Sequence, residues 1–158
     1  MAKNASPQLS FDQALSRAAT LCSRSECCVS DIEEKLYRWG VNKVDSQRII
    51  DMLVDGKYID ESRYASAYAG DKFRFSRWGR AKIRAMLRMK HISDTDIEPA
   101  LGQIDADEYS RILKEVIAAK RRETGDDNSY ETRAKLIRFA LQRGFEMQDI
   151  IKFVSDDA

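Results

Sequence analysis

The 158-residue chain is almost neutral, with 27 Lys and Arg against 26 Asp and Glu, and its 43% apolar content is enough to build a core. A charged fraction of 34% points to small units with much surface. No run approaches the roughly 18 apolar residues of a membrane span, and the opening MAKNASPQLSFDQAL has no apolar signal core, so the reading is a cytoplasmic protein.

Residues 1–9 read as a flexible tail. Asn4-Ala5-Ser6 matches a glycosylation sequon, which carries no meaning without a secretory signal. Ser10 with Gln13 is a capping box, followed by the apolar stripe Leu15, Ala18, Ala19 and Cys22 to near Arg24. Cys22, Cys27 and Cys28 are odd in number and crowded, and read as reduced thiols at a helix end and in the loop after it. Ser30 with Glu33 reads as a second capping box, opening a helix with Ile32, Leu36 and Trp39 on one face and Gly40 as its left-handed end. A third helix begins near Asp45 and turns Ile49, Ile50 and Leu53 inward until Gly56.

The next helix starts at Asp60-Glu61, whose charges suit a helix N-terminus, with Tyr64, Ala65 and Tyr68 inward. Trp78-Gly79 breaks it. Arg80 to Met89 follows, with Ile83, Met86 and Leu87 inward. Ser93 with Asp96 opens a short helix carrying Ile97 and Leu101, in which Pro99 predicts irregularity or a late start. Asp105 with Glu108 caps a long helix to about Arg122, with Tyr109, Ile112, Leu113, Val116 and Ile117 inward. Residues 125–128 form a loop. Ser129 or Tyr130 opens a helix containing Leu136, Ile137, Ala140 and Leu141, closed by Gly144, and a last helix carries Ile150, Ile151 and Val154. The pattern predicts nine helices and no strand.

One pattern recurs three times. Ile32, Leu36, Gly40 and Val41 return as Ile83, Leu87, His91 and Ile92, then as Leu136, Ala140, Gly144 and Phe145. The following helices match as Ile49 and Leu53, Ile97 and Leu101, Ile150 and Val154. The fold class expected is therefore all-α: three tandem three-helix repeats over 10–59, 60–104 and 105–158, forming an elongated, curved helical body.

Charge is concentrated in the middle repeat. Lys72, Arg74, Arg77, Arg80, Lys82, Arg84, Arg88 and Lys90 fall in one stretch without an Asp or Glu, which suits a polyanion or an acidic protein surface. Arg80, Arg84 and Arg88 are four apart and line one side of a helix. Arg suits phosphate and carboxylate alike through bidentate hydrogen bonds. Phe73, Phe75 and Trp78 interleave as interface anchors or core residues. Lys120, Arg121, Arg122, Arg133, Lys135, Arg138 and Arg143 form a second cationic group, diluted by Glu123, Asp126, Asp127 and Glu131 into an ordinary mixed surface. There is no Gly-rich phosphate loop and no nucleophile–base pair, so no catalytic residue, metal site or cofactor is assigned.

The segment Tyr58-Ile59-Asp60-Glu61-Ser62-Arg63-Tyr64-Ala65-Ser66-Ala67-Tyr68 resembles a signature of the RecX family. Gly79, Ile83, Leu87, Lys90 and Ile92 continue the likeness. So do Leu36 with Gly40-Val41, and Lys135-Leu136 to Gly144-Phe145 with Ile150, so that it covers residues 11–155. His91 stands where the family usually has Gly, which predicts a different helix end there, and Pro99 is a second departure. The resemblance implies a non-enzymatic monomer that binds the RecA recombinase and its filament on DNA. It implies modulation, mostly inhibition, of RecA ATPase, strand exchange and coprotease activity, within DNA repair, recombination and the SOS response. Direct contact with single- or double-stranded DNA is an added expectation. Charge reversal at Arg80, Arg84 and Arg88 is then expected to weaken binding. The alternative is a helical DNA-binding transcriptional regulator; residues 80–90 carry Arg and Lys but no Asn or Gln, which suits backbone contact better than base readout.

Overall fold

The computed structural model describes residues 8–125 and 127–154; the sequon, most of the tail and Asp126 lie outside the described residues. Among the described residues there are nine helices and no strand: α1 (Phe11–Arg24), α2 (Val29–Arg38), α3 (Lys43–Asp55), α4 (Glu61–Arg74), α5 (Arg80–Met89), α6 (Asp94–Gly102), α7 (Ala106–Thr124), α8 (Tyr130–Gln142) and α9 (Met147–Val154). The chain forms two compact units, Met1–Ala65 with Lys90–Ile92, and Ser66–Met89 with Ser93–Ala158.

In the first unit, α3 packs against α1 and α2. The apolar stripes predicted for these helices meet in one core that includes Ala14, Ala18, Ile32, Leu36, Ile49 and Leu53. Ser10 and Gln13 form the expected capping box, with bonds of 3.2 and 3.0 Å. The box expected at Ser30 and Glu33 is absent. Helix α2 already begins at Val29, so Ser30 lies inside its first turn, and its hydroxyl donates to the Lys90 carbonyl at 2.9 Å. The Val29 amide is served instead by the Glu61 carboxylate at 3.2 Å. Helix α3 begins two residues before Asp45, because the Asn42 side chain accepts from the Asp45 amide at 2.9 Å.

In the second unit, α7 packs against α8 and α9, α8 against α9, and α5 against α6. Tyr109 links three segments: its ring lies 5.8 Å from Phe73 and 5.3 Å from Phe145. Asp105 and Ser129 cap α7 and α8 as expected, accepting from Glu108 and Thr132 amides at 2.9 and 3.1 Å. Helix α6 starts at Asp94 and runs through Pro99, against the expected irregularity. The helix is only nine residues long, so the missing N–H removes one bond, to the Thr95 carbonyl, near its end.

The repeat is visible in backbone as well as in burial. Ile32, Ile83 and Leu136 are fully buried, as are Leu36, Leu87 and Ala140, and Ile49, Ile97 and Ile150. In each repeat a left-handed residue stands between the second of these positions and the third: Gly40 at φ 77°, His91 at 62° and Gly144 at 93°. The helix end at His91 is therefore the same as the other two, contrary to the sequence expectation. Histidine adopts the glycine conformation there, with its side chain exposed.

Candidate functional site

The eight cations singled out in the sequence do not share one role. Three of them form a ladder. Helix α5 places Arg80, Arg84 and Arg88 on one side, and that side meets α6. Arg88 pairs with Asp94 at 3.0 and 3.1 Å, and Arg84 with Glu98 at 2.7 and 3.2 Å. Arg80 donates to the Leu101 and Ile104 carbonyls at 3.5 and 3.3 Å and lies 4.0 Å over the Tyr109 ring. Ascending α5 thus descends α6, as antiparallel neighbours must. The last rung satisfies carbonyls at the α6 C-terminus, where a cation also suits the helix dipole.

The electrostatics follow the geometry. Hydrogen bonds from Arg84 hold the Glu98 carboxyl below its usual range, and those from Arg88 do the same to Asp94. Both guanidinium groups are pushed up in return. A guanidinium already paired with a carboxylate through Nε and Nη2 has its charge largely offset and fewer donors left for a second anion.

Arg77 is drawn to Glu115 of α7 at 3.2 Å. Lys90 belongs to the first unit, where its ammonium group pairs with Asp31 at 3.1 Å. Three cations remain. Lys72 and Lys82 lie over the Trp78 ring at 4.8 and 4.5 Å, and Arg74 is exposed at the end of α4. Among the described residues no carboxylate pairs with Lys72, Arg74 or Lys82. Beside them Phe75 is 80% exposed, whereas Phe73 is buried in the core. Sequence reading separated core from anchor only in part: both aromatics flank Arg74, and the two-residue step between them, about 200° of helical rotation, sends them to opposite fates.

The acids that quench the arginine row were missed because they lie outside the cationic stretch. Their signal was present, since Asp94 and Glu98 are four apart and mirror Arg88 and Arg84 across the turn between the helices. The three cysteines are buried and free, as expected. Burial, with a hydrogen bond that the Cys22 thiol donates to Cys27, pushes that thiol up to about 12. Among the described residues no group of three or more His, Cys, Asp or Glu is placed to hold a metal ion, and no helix is long and apolar enough to cross a membrane.

Fold and surface together define an all-α protein of repeated three-helix units that displays a small cluster of cations and aromatics. Residues 60–101 match the model of the RecX second three-helix domain, and residues 107–154 that of the RecX third three-helix domain. The chain belongs to the RecX family. Regulatory protein RecX of Clostridium botulinum strain Eklund 17B is 33% identical over 130 residues, covering 80% of this chain and 59% of the relative. That of Acinetobacter baylyi is 29% identical over 147 residues, covering 93% and 89%. The chain spans little more than half the length of several of these relatives, such as 55% of the Clostridium tetani protein. A crystal structure of RecX from Lactobacillus salivarius superposes with a TM-score of 0.80 at 21% identity, over 92% of this chain and 95% of that one, which supports the fold.

Proposed function

We propose that this chain is a regulatory protein that binds the RecA recombinase and its filament on DNA, and lowers RecA ATPase, strand exchange and coprotease activity. The observation that carries this reading is the ordered match of two consecutive RecX domains in one chain. The repeats then run over 10–59, 60–104 and 105–158, and the protein works by contact rather than by catalysis, in the cytoplasm.

The contact residues proposed are Lys72, Arg74 and Lys82 with Phe75 and Trp78. Phe75 is exposed and Trp78 half-buried, aromatics beside cations of the kind protein interfaces use as anchors, and the same cations suit phosphate on filament-bound DNA. Arg77, Arg84, Arg88 and Lys90 already hold carboxylates and so bring less uncompensated charge to the contact. Arg80 serves from inside, by fixing α5 on α6. No observation favours the DNA-reading alternative, because the row that would face the bases is turned toward α6.

The test is the single-stranded-DNA-dependent ATPase of the cognate RecA, with this protein titrated in at fixed salt. Inhibition at well below one copy per RecA protomer is the expected result. No effect at a large excess overturns the proposal.

A further inference from the structure

Helix α8 has two apolar faces. Thr132, Leu136 and Ala140 are buried against the unit's core. At about 100° per residue, Tyr130, Ala134, Ile137 and Leu141 fall on a second line, about 130° away. That line borders a groove of about 520 Å³ whose other wall is Ile151 and Val154 of α9. Its apolar side chains are substantially bare: Tyr130 is 83% exposed, Leu141 46% and Ile151 45%. Arg133 and Arg138 also line the groove, about 70° to either side of the apolar line by the same helical count.

These two arginines differ from most others in the unit. Arg77, Arg84, Arg88 and Arg111 hold carboxylates, and Arg143 donates to the Ser76 carbonyl. Among the described residues Arg133 and Arg138 pair with no carboxylate. An apolar line with a cation on each side is the complement of an amphipathic helix that has apolar side chains at i, i+4 and i+7 and carboxylates flanking them.

We infer that the α8–α9 groove is a docking site for an acidic amphipathic segment of a partner protein. A second copy of this chain is the poorer occupant. Two-fold pairing through this face would set Arg133 and Arg138 of one copy against the same residues of the other. A groove of this size holds several large apolar side chains, which anchor the segment while the arginines choose its sign.

The test uses the full chain and a labelled helix-forming peptide with leucines at i, i+4 and i+7 flanked by glutamates, read by fluorescence anisotropy. A control peptide carries lysines in place of the glutamates. The Glu peptide binds and the Lys peptide does not. In the Arg133→Glu, Arg138→Glu double variant the preference inverts, with the Glu peptide losing about tenfold or more in affinity. Leu141→Asp weakens both pairings. All these positions are exposed or half-exposed, so thermal midpoints stay near wild type. Inversion of preference is the outcome that a merely structural role for the arginines does not produce.

Four results overturn the inference. The first is no binding of the Glu peptide. The second is displacement of that peptide by an oligothymidylate whose own affinity depends on Arg133 and Arg138, which makes the site a nucleic-acid groove. The third is a tenfold gain in peptide affinity from Asp156→Asn with Asp157→Asn, which makes the chain's own last residues the occupant. The fourth is self-association in sedimentation that Leu141→Asp abolishes.

Discussion

Gly79 and Gly144 touch backbone to backbone. The Gly79 amide donates to the Arg143 carbonyl at 2.8 Å, and the Ala81 amide to the Gly144 carbonyl at 3.0 Å. The start of α5, with N–H groups that no helix can satisfy, is thereby fitted onto the end of α8, with carbonyls in the same position. The approach leaves no space for a side chain. A Cβ on Gly79 would overlap the Gly144 carbonyl and the Phe145 amide, and a Cβ on Gly144 would overlap Lys82.

Gly79→Ala and Gly144→Ala therefore force this junction apart. Overpacking against backbone costs about 1–3 kcal/mol. At Gly144 a left-handed φ of 93° adds strain for any residue with a Cβ. Urea denaturation should show both variants less stable than wild type, Gly144→Ala the more so. A Gly79→Ala protein of wild-type stability would mean that the two helix ends are not held as described.

His91 is the repeat's counterpart of Gly144 and Gly40, and carries φ 62° where those have glycine. A left-handed L-residue costs roughly 1–2 kcal/mol, and the His91 side chain is exposed with nothing at stake in its packing. His91→Gly should thus raise stability by about 1 kcal/mol less the entropy that glycine loses on folding. A thermal midpoint that falls would count against the strain assigned here.

That histidine shows what the sequence discloses. Helix existence was legible throughout, because each apolar stripe has helical period and contributes residues to a buried face, although Leu141 and Ile151 of the α8 and α9 stripes stay exposed. Helix ends were less so. Ser30 matches a capping pattern, yet its hydroxyl is used by the Lys90 carbonyl 60 residues away. The Gly missing at His91 suggested a different end, yet the chain keeps the backbone and bears the strain. The surroundings of the arginine row were illegible for the same reason as those of Ser30. A run of like charges in sequence says nothing of the neighbouring helix, and α6 supplies the acids.

The α5–α6 ladder makes stability depend on pH in the acid range. Glu98 and Asp94 have ordinary values of 4.5 and 3.8, and both are lowered in the fold by their arginines. In that window the unfolded chain binds more protons than the folded one, so stability falls as pH falls. The contribution is complete above about pH 5 and is lost as pH drops through the depressed folded values. Glu98→Gln with Asp94→Asn should flatten the stability profile below pH 4.5 and change it little at pH 7, since pairs this exposed contribute modestly.

Cys22 should be chemically silent in the folded protein. Burial holds its thiol up to about 12, so almost no thiolate exists at pH 8. Alkylation by iodoacetamide at pH 8 is expected to leave Cys22 unmodified in native buffer and to modify it in urea, as read by peptide mass. Rapid native labelling would mean that the α1 end opens far more often than its packing implies.

The final prediction separates structure from contact within the cationic stretch. Arg80 caps two carbonyls at the α6 end and stacks on Tyr109. Its loss to Ala should cost about 1–3 kcal/mol, from hydrogen bonds to a charged group and the cation–π contact. Lys72, Arg74 and Lys82 make no carboxylate pair among the described residues, and reversing all three to Glu leaves the core untouched. The triple variant should keep a thermal midpoint close to wild type and lose at least about tenfold in inhibition of the cognate RecA ATPase. Arg80→Ala should show the reverse: a lowered midpoint, with inhibition retained at temperatures where the protein is still folded. If instead the triple variant inhibits as well as wild type, the contact surface lies elsewhere on the chain.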